Sequence, residues 1–238
     1  RLRAALDPDR PTFTYRHFMD PHAPYEQRAP WCPHVGGAEC APTGRYRSEV
    51  MFMDAQLEGI FEESGWLADE GAIVLLVTDH GEEFGDHGDI MHRFSVYGEL
   101  SRAGMLLRAP GLEPGRSRAP AHHTDVLPTL LALLDLPPPE VMDGVVLGGT
   151  QEQGDAERPL LTCRLDAADG RHLWGLTVGR WRLLEETPSG RVELYDRYTD
   201  PAEREDVSRA QPAVLSELRA KLERLRAEAA RGEARMLS

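Results

Sequence analysis

The chain has 238 residues, 41% of them hydrophobic, enough for one sizeable core and a smaller appendage. Its 27 Lys plus Arg stand against 40 Asp plus Glu, a formal net charge of −13, which argues against wrapping a phosphate backbone, so no nucleic-acid partner is expected. That acidic surplus is compatible with cation binding, but a solvated acidic surface is the simpler account. No run approaches the roughly 18 apolar residues of a membrane helix. Cys32, Cys40 and Cys163 are an odd number without a C-x-x-C pair, which indicates neither a disulfide framework nor a zinc knuckle, although Cys32 and Cys40 are spaced to bridge a short loop.

In chain order, residues 12–18 alternate loosely and run into the Pro-rich stretch MDPHAPYEQRAP, a strand ending in a loop. Over 46–66 the apolar residues Val50, Met53, Leu57, Ile60 and Phe61 recur at three and four, which predicts a helix with one buried face, ended by Gly65. Residues 72–77 are an uninterrupted apolar run, too short for a helix. They read as a strand of a parallel sheet covered on both faces, with Thr78, Asp79 and His80 in the loop beyond its carboxyl end, where such sheets bind ligands. A short helix over 95–101 and a strand over 104–108 follow. His123, Thr124 and Asp125 offer N-caps for a helix to Leu136, stopped by three prolines. Segments near Leu160 and at 172–178, 181–184 and 192–195 read as short antiparallel strands, with Pro188-Ser189-Gly190 as a turn. From 212 to about 230, Val214, Leu215, Leu218, Leu222 and Leu225 fall on one stripe of an amphipathic helix. The division expected is an α/β part over 1–150 and a small antiparallel subdomain with a terminal helix over 151–238.

Asp79 and His80 can turn into one loop and reach one cation; the alternative is a loop aspartate capping a helix beside a surface histidine. Three glycines around three carboxylates and a histidine in Gly81-Glu82-Glu83-Phe84-Gly85-Asp86-His87-Gly88 describe a backbone bent around something charged. His92 lies just beyond, and surface positions remain the alternative for His87 and His92. His22 stands between two prolines that stiffen its loop.

Asp20-Pro21-His22-Ala23-Pro24-Tyr25, then Tyr46, Glu49-Val50 and Asp54, then Thr78-Asp79-His80-Gly81-Glu82 with Gly85-Asp86-His87-Gly88, resemble the sulfatase family in order and spacing. Later landmarks are similar too: Ser95-Val96-Tyr97-Gly98-Glu99-Leu100, Asp125-Val126-Leu127-Pro128-Thr129-Leu130, Asp143-Gly144, Glu193-Leu194-Tyr195-Asp196 and Asp200-Pro201-Ala202-Glu203. The resemblance implies an α/β/α sandwich of the alkaline phosphatase superfamily, incomplete at its N-terminal side, followed by the small antiparallel sheet and terminal helix. It implies a metal-dependent hydrolase of sulfate esters acting on a small molecule or glycan. Asp79 and His80 would ligate the divalent metal, His22 would contact the ester near its leaving oxygen, and His92 would contact the transferred group. Many calcium-dependent relatives have Asp-Asn where this chain has Asp79-His80, and imidazole suits manganese or zinc better. The family nucleophile, a Cys or Ser in C-x-P-x-R oxidised to formylglycine, is expected in an N-terminal half outside this sequence, because Cys32-Pro33-His34-Val35 has its proline one place early and no arginine. The alternatives are a phosphodiesterase, phosphonate hydrolase or phosphoethanolamine transferase of the same superfamily, and a non-catalytic binding remnant. Oligomeric state and compartment are not readable from these residues.

Overall fold

The structure is a computed structural model that describes residues 10–32, 40–148, 157–166 and 170–236. It divides into two compact units. One comprises the described residues up to Leu76 with Met105–Glu113, the other Val77–Gly104 with the described residues from Pro114 onward. The expected division at 150/151 lies outside the described residues.

The first unit is built on helix α1 (Pro42–Ser64). Proline suits its first turn, where an amide would lack a helical partner anyway. Gly65 ends it in the left-handed region at φ 67°, with its N–H on the Phe61 carbonyl at 2.9 Å, the αL cap that glycine adopts without steric cost. The buried face is not the apolar stripe expected. Val50 is exposed, Met53, Leu57, Ile60 and Phe61 are half-buried, and the fully covered residues are Ser48, Glu49 and Ser64. The reason lies in loop 20–32, whose backbone donors take Ser48 and Glu49 as acceptors. A disulfide joins Cys32 to Cys40, Cα to Cα 6.4 Å, and Tyr25 packs edge-on against Tyr46.

Strands β1 (Val74–Val77) and β4 (Met105–Arg108) form a two-stranded sheet. The strand expected to be covered on both faces is only half-buried, and Val77 at its end is exposed. Among the described residues β4 is the one strand that pairs with β1.

In the second unit β2 (Glu83–Phe84) and β3 (Ile90–Met91) make a small antiparallel hairpin, Glu83 opposite Met91. Helix α2 (Gly98–Ser101) is one turn, shorter than expected. A 3-10 turn (His123–Asp125) leads into α3 (Val126–Leu133). The larger sheet has order β5 (Leu160–Leu165), β6 (His172–Val178), β7 (Trp181–Thr187), β8 (Val192–Asp196), antiparallel throughout, and α4 (Pro212–Met236) follows it.

The sheet is covered on both faces, which explains why consecutive residues of β7, Arg182 to Glu185, are all buried. On one face Leu176, Val178, Leu183 and Leu194 pack against Leu218 and Leu222 of α4. On the other, Leu184 and Tyr195 pack against Val96. Each fully buried Leu contributes about 1.5–3 kcal/mol, so this sheet and helix form the main apolar core.

Candidate functional site

Asp79 and His80 follow β1 in sequence and sit on the second unit, exposed to solvent. Thr78 anchors them: its N–H donates to the Gly104 carbonyl, its hydroxyl accepts from Gly104 N–H at 2.8 Å, and its carbonyl lies 2.8 Å from His123 Nε2. Asp79 Oδ1 accepts the His80 amide at 2.9 Å. His80 Nδ1 lies 2.7 Å from the Gly81 carbonyl, and its Nε2 stands 3.6 Å from Asp79 Oδ2. Carbonyl contacts of this kind fix the tautomer of metal-ligating imidazoles. The two side chains therefore converge, one imidazole nitrogen and one carboxylate oxygen on the same side of the loop.

His92 joins this pair, its ring centroid 4.5 Å from that of His80. Its Nδ1 is 3.1 Å from Oε1 of Glu82, a side chain only 4% exposed. Hairpin β2–β3 is what brings these positions together, and it was not foreseen: strands of two residues give no period to detect in a Gly- and acid-rich stretch.

His22 lies on the first unit. Its ring Nδ1 is 2.7 Å from the Ala23 carbonyl, and its backbone is held by α1, where Glu49 accepts the amides of His22 at 3.3 Å and Glu26 at 2.7 Å. Glu49 is 1% exposed, and its side chain is buried there as the acceptor for two backbone donors outside regular structure.

His87 is not a surface residue. With Glu83 and Glu99 it brings donor atoms within 4.8 Å of one another, the only set of three such groups found among the described residues. Both of its nitrogens are engaged at hydrogen-bond distance, Nδ1 2.6 Å from Glu99 Oε1 and Nε2 2.8 Å from the Glu203 carbonyl. Glu83 Oε1 accepts the amides of His87 and Asp89, each at 2.9 Å. The second carboxylate oxygen of Glu83, Oε2, is buried without a hydrogen-bond partner among the described residues. A small cleft of about 140 Å³ opens between Phe94, Tyr97, Leu173, Arg171 and Arg191, and none of the four candidate residues lines it.

No nucleophile of the expected kind stands in the sequence. Cys40-Ala41-Pro42 has the spacing of C-x-P, yet Gly44 occupies the arginine position and the Cys40 sulfur is bonded to Cys32.

Comparison with known proteins gives the chain's family and fold. The sulfatase family profile matches residues 2–136. An uncharacterized sulfatase, YidJ, of Escherichia coli is 31% identical over 93 residues, 39% of this chain and 19% of that protein. A Delta 4,5-hexuronate-2-O-sulfatase of Bacteroides thetaiotaomicron is 24% identical over 170 residues, 66% of this chain and 35% of that protein. A solved 2-O GAG sulfatase superposes with TM-score 0.69 at 20% identity, covering 79% of this chain and 43% of its own. A phosphonate monoester hydrolase of Silicibacter pomeroyi superposes at TM-score 0.64 and 22% identity, with 79% and 41% covered. The chain thus spans less than half the length of these relatives. Its fold is the alkaline phosphatase-like α/β fold of the superposed sulfatases, and with the profile matching more than half its length the chain belongs to the sulfatase family.

Proposed function

We propose that this chain is the metal- and leaving-group-binding part of a sulfate ester hydrolase. The observation that carries the reading is the convergence of Asp79 and His80, with the His92 ring tilted against that of His80, in a chain of the sulfatase family. A divalent ion held there would polarise the ester and offset the charge that develops on its oxygens. Asp79 Oδ2 and His80 Nε2 bind, and the Gly81 carbonyl orients the imidazole. His92, steadied by Glu82, faces the transferred group as a hydrogen-bond donor. His22, its Nδ1 proton committed to Ala23, exchanges a proton with the leaving oxygen through Nε2. The substrate class is a sulfated sugar. Two relatives support it, the 2-O GAG sulfatase and a structure in complex with D-glucosamine-2-N,6-O-disulfate.

The described donors amount to a pair rather than a cage, whereas a hard cation takes six or more ligands. Mn²⁺ titrated into the chain is therefore expected to bind weakly and to broaden the NMR signals of Asp79, His80 and His92 before those of His17 or His172. His80→Ala should remove the effect. Equal broadening at all histidines would overturn the assignment, and so would steady turnover of an aryl sulfate by this chain alone, since no C-x-P-x-R nucleophile stands in residues 1–238.

The superposed phosphonate monoester hydrolase favours a second reading, phosphoryl or phosphonyl transfer on the same scaffold. Sequencing the coding DNA upstream of Arg1 separates the two. A Cys or Ser in C-x-P-x-R is the expected result, and a Thr in another context would shift the function to phosphoryl transfer.

A further inference from the structure

The loop that begins at Asp79 and His80 is fastened twice to α2. Next to His80, the Gly81 N–H donates to the Leu100 carbonyl at 2.8 Å, and a Cβ on Gly81 would stand 2.0 Å from the Glu99 carbonyl oxygen. Only glycine lets the backbone lie this close. Six residues on, His87 makes the second attachment, with Nδ1 on Glu99 of α2 and Nε2 on the carbonyl of Glu203 beyond β8. Its ring stacks on Tyr97 at 3.7 Å with an interplanar angle of 6°.

A neutral imidazole carries one N–H, so it would leave one of these two acceptors facing a lone pair. Only the imidazolium donates to both. The surrounding charges favour it. Glu83 approaches from β2 through the His87 amide, Glu99 from α2, and Glu203 from the segment after β8, its own carboxylate held by Arg182 of β7 and the Gly98 N–H. Tyr97 is hydrogen-bonded to Glu193 of β8. Arg102, bound to the carbonyls of Gly98 and Pro201, is the second cation nearby. Three carboxylates thus surround the ring, with Arg182 and Arg102 as the counter-charges.

We propose that His87 is a positioning residue: as an imidazolium it clamps the loop carrying Asp79 and His80 to α2 and to the segment beyond β8, and the clamp slackens as pH rises. Its effect on a bound metal rests on the reading of Asp79 and His80 given above; the clamp itself does not. Burial alone would push the imidazole toward its neutral form, but the hydrogen bonds to the Glu203 carbonyl and to Glu99 outweigh it, so the pKa lies above the usual 6.5. A raised folded pKa means that the stabilisation is complete below the unfolded value and is lost as pH climbs through the folded one. The window therefore opens near 6.5 and extends upward.

NMR on the whole chain tests this without a variant. The His87 ring, identified by its proximity to Tyr97, should titrate above the usual value. Amide protection over 81–88, corrected for intrinsic base catalysis, should fall between about pH 6 and 9, by up to about tenfold for each unit of pKa elevation. In His87→Gln, which keeps an N–H donor but cannot titrate, protection should no longer depend on pH across that interval. A ring that titrates at or below its usual value, or protection that His87→Gln leaves equally pH-dependent, overturns the clamp. At fixed pH, Mn²⁺ should bind several-fold more weakly to His87→Ala than to the parent, with part of the loss recovered in His87→Gln. If His87 titrates as stated and Mn²⁺ affinity is the same in all three proteins, the clamp stands and its positioning of the metal pair is refuted. If Mn²⁺ never localises at Asp79 and His80, the metal reading itself fails.

Discussion

At the residue scale the most informative groups are the buried carboxylates. Glu49, Glu83, Asp125 and Glu203 are each no more than 1% exposed, and each accepts backbone amides that no helix or strand satisfies. Part of the acidic surplus is therefore internal, where the sequence alone suggested a solvated surface. Asp125 shows the energetics. It accepts from the His122 and Val145 amides at 2.7 and 2.9 Å and holds Arg158 through two bonds of 2.8 and 2.7 Å. Burial pushes its carboxyl up, but Arg158 and the two amides pull harder, so its pKa lies below the ordinary value. Arg158→Ala is expected to cost about 3–5 kcal/mol, because it leaves a buried charge uncompensated. Urea denaturation at neutral pH measures it. A loss under about 1 kcal/mol, the level of a surface pair, would show that water replaces the arginine.

At the element scale, α4 earns its helical state by packing. Leu218 and Leu222 are almost wholly covered by the sheet. Glu185 of β7, 5% exposed, binds Arg219 at 3.0 Å and Arg226 at 2.8 Å from α4, which fixes the helix along and across the strands. Leu222→Ala should destabilise the chain by about 2–5 kcal/mol through lost burial and a residual cavity. The expected signature is a lower urea midpoint at unchanged slope. An altered slope would mean that α4 leaves the sheet as a separate step. Close backbone approaches likewise set the layout: a Cβ on Gly144 would lie 1.9 Å from the Thr124 carbonyl oxygen, so the 143–145 loop can reach Asp125 only with glycine there.

At the scale of the whole molecule, stability should be bounded on both sides of neutrality. Asp125, Asp196 and Asp206 have pKa values below their ordinary range, through Arg158, Arg180 and the Leu194 and Ser208 amides respectively. Lowered carboxylates give stability that is present above their unfolded pKa and is lost as pH falls through the folded one. On the alkaline side His87 releases first. Tyr97 and Tyr195 come later, since burial and the shared Glu193 carboxylate hold both phenols well above 10. Thermal unfolding across pH should therefore show an acid limb, a plateau, a gentle decline starting near 6.5 and a steeper one beyond about 10. His87→Gln should erase the gentle decline and leave the steep one. A profile flat from about pH 6 to 9 in the parent would contradict the assignment of a charged, half-buried His87.

Periodicity and turn chemistry made much of the architecture legible. The 3.6-residue stripe located α4, glycine marked the end of α1, and alternating runs with Pro188-Ser189-Gly190 located β6, β7 and β8. The ordered motifs were enough to mark His22, Asp79, His80 and His92 as candidates. What the sequence could not supply was partnership across distance. Hairpin β2–β3 has two-residue strands and no period, α1 buries Ser48 and Glu49 rather than its apolar stripe, and β1 is half-open rather than covered. His87 reads in sequence as one more loop histidine. It becomes a half-buried, doubly bonded ring only because Glu203, 116 residues away, is folded against it. Local sequence determines which backbone shapes are cheap, whereas the burial and protonation of a side chain depend on which distant groups meet it, and that is decided by the tertiary fold.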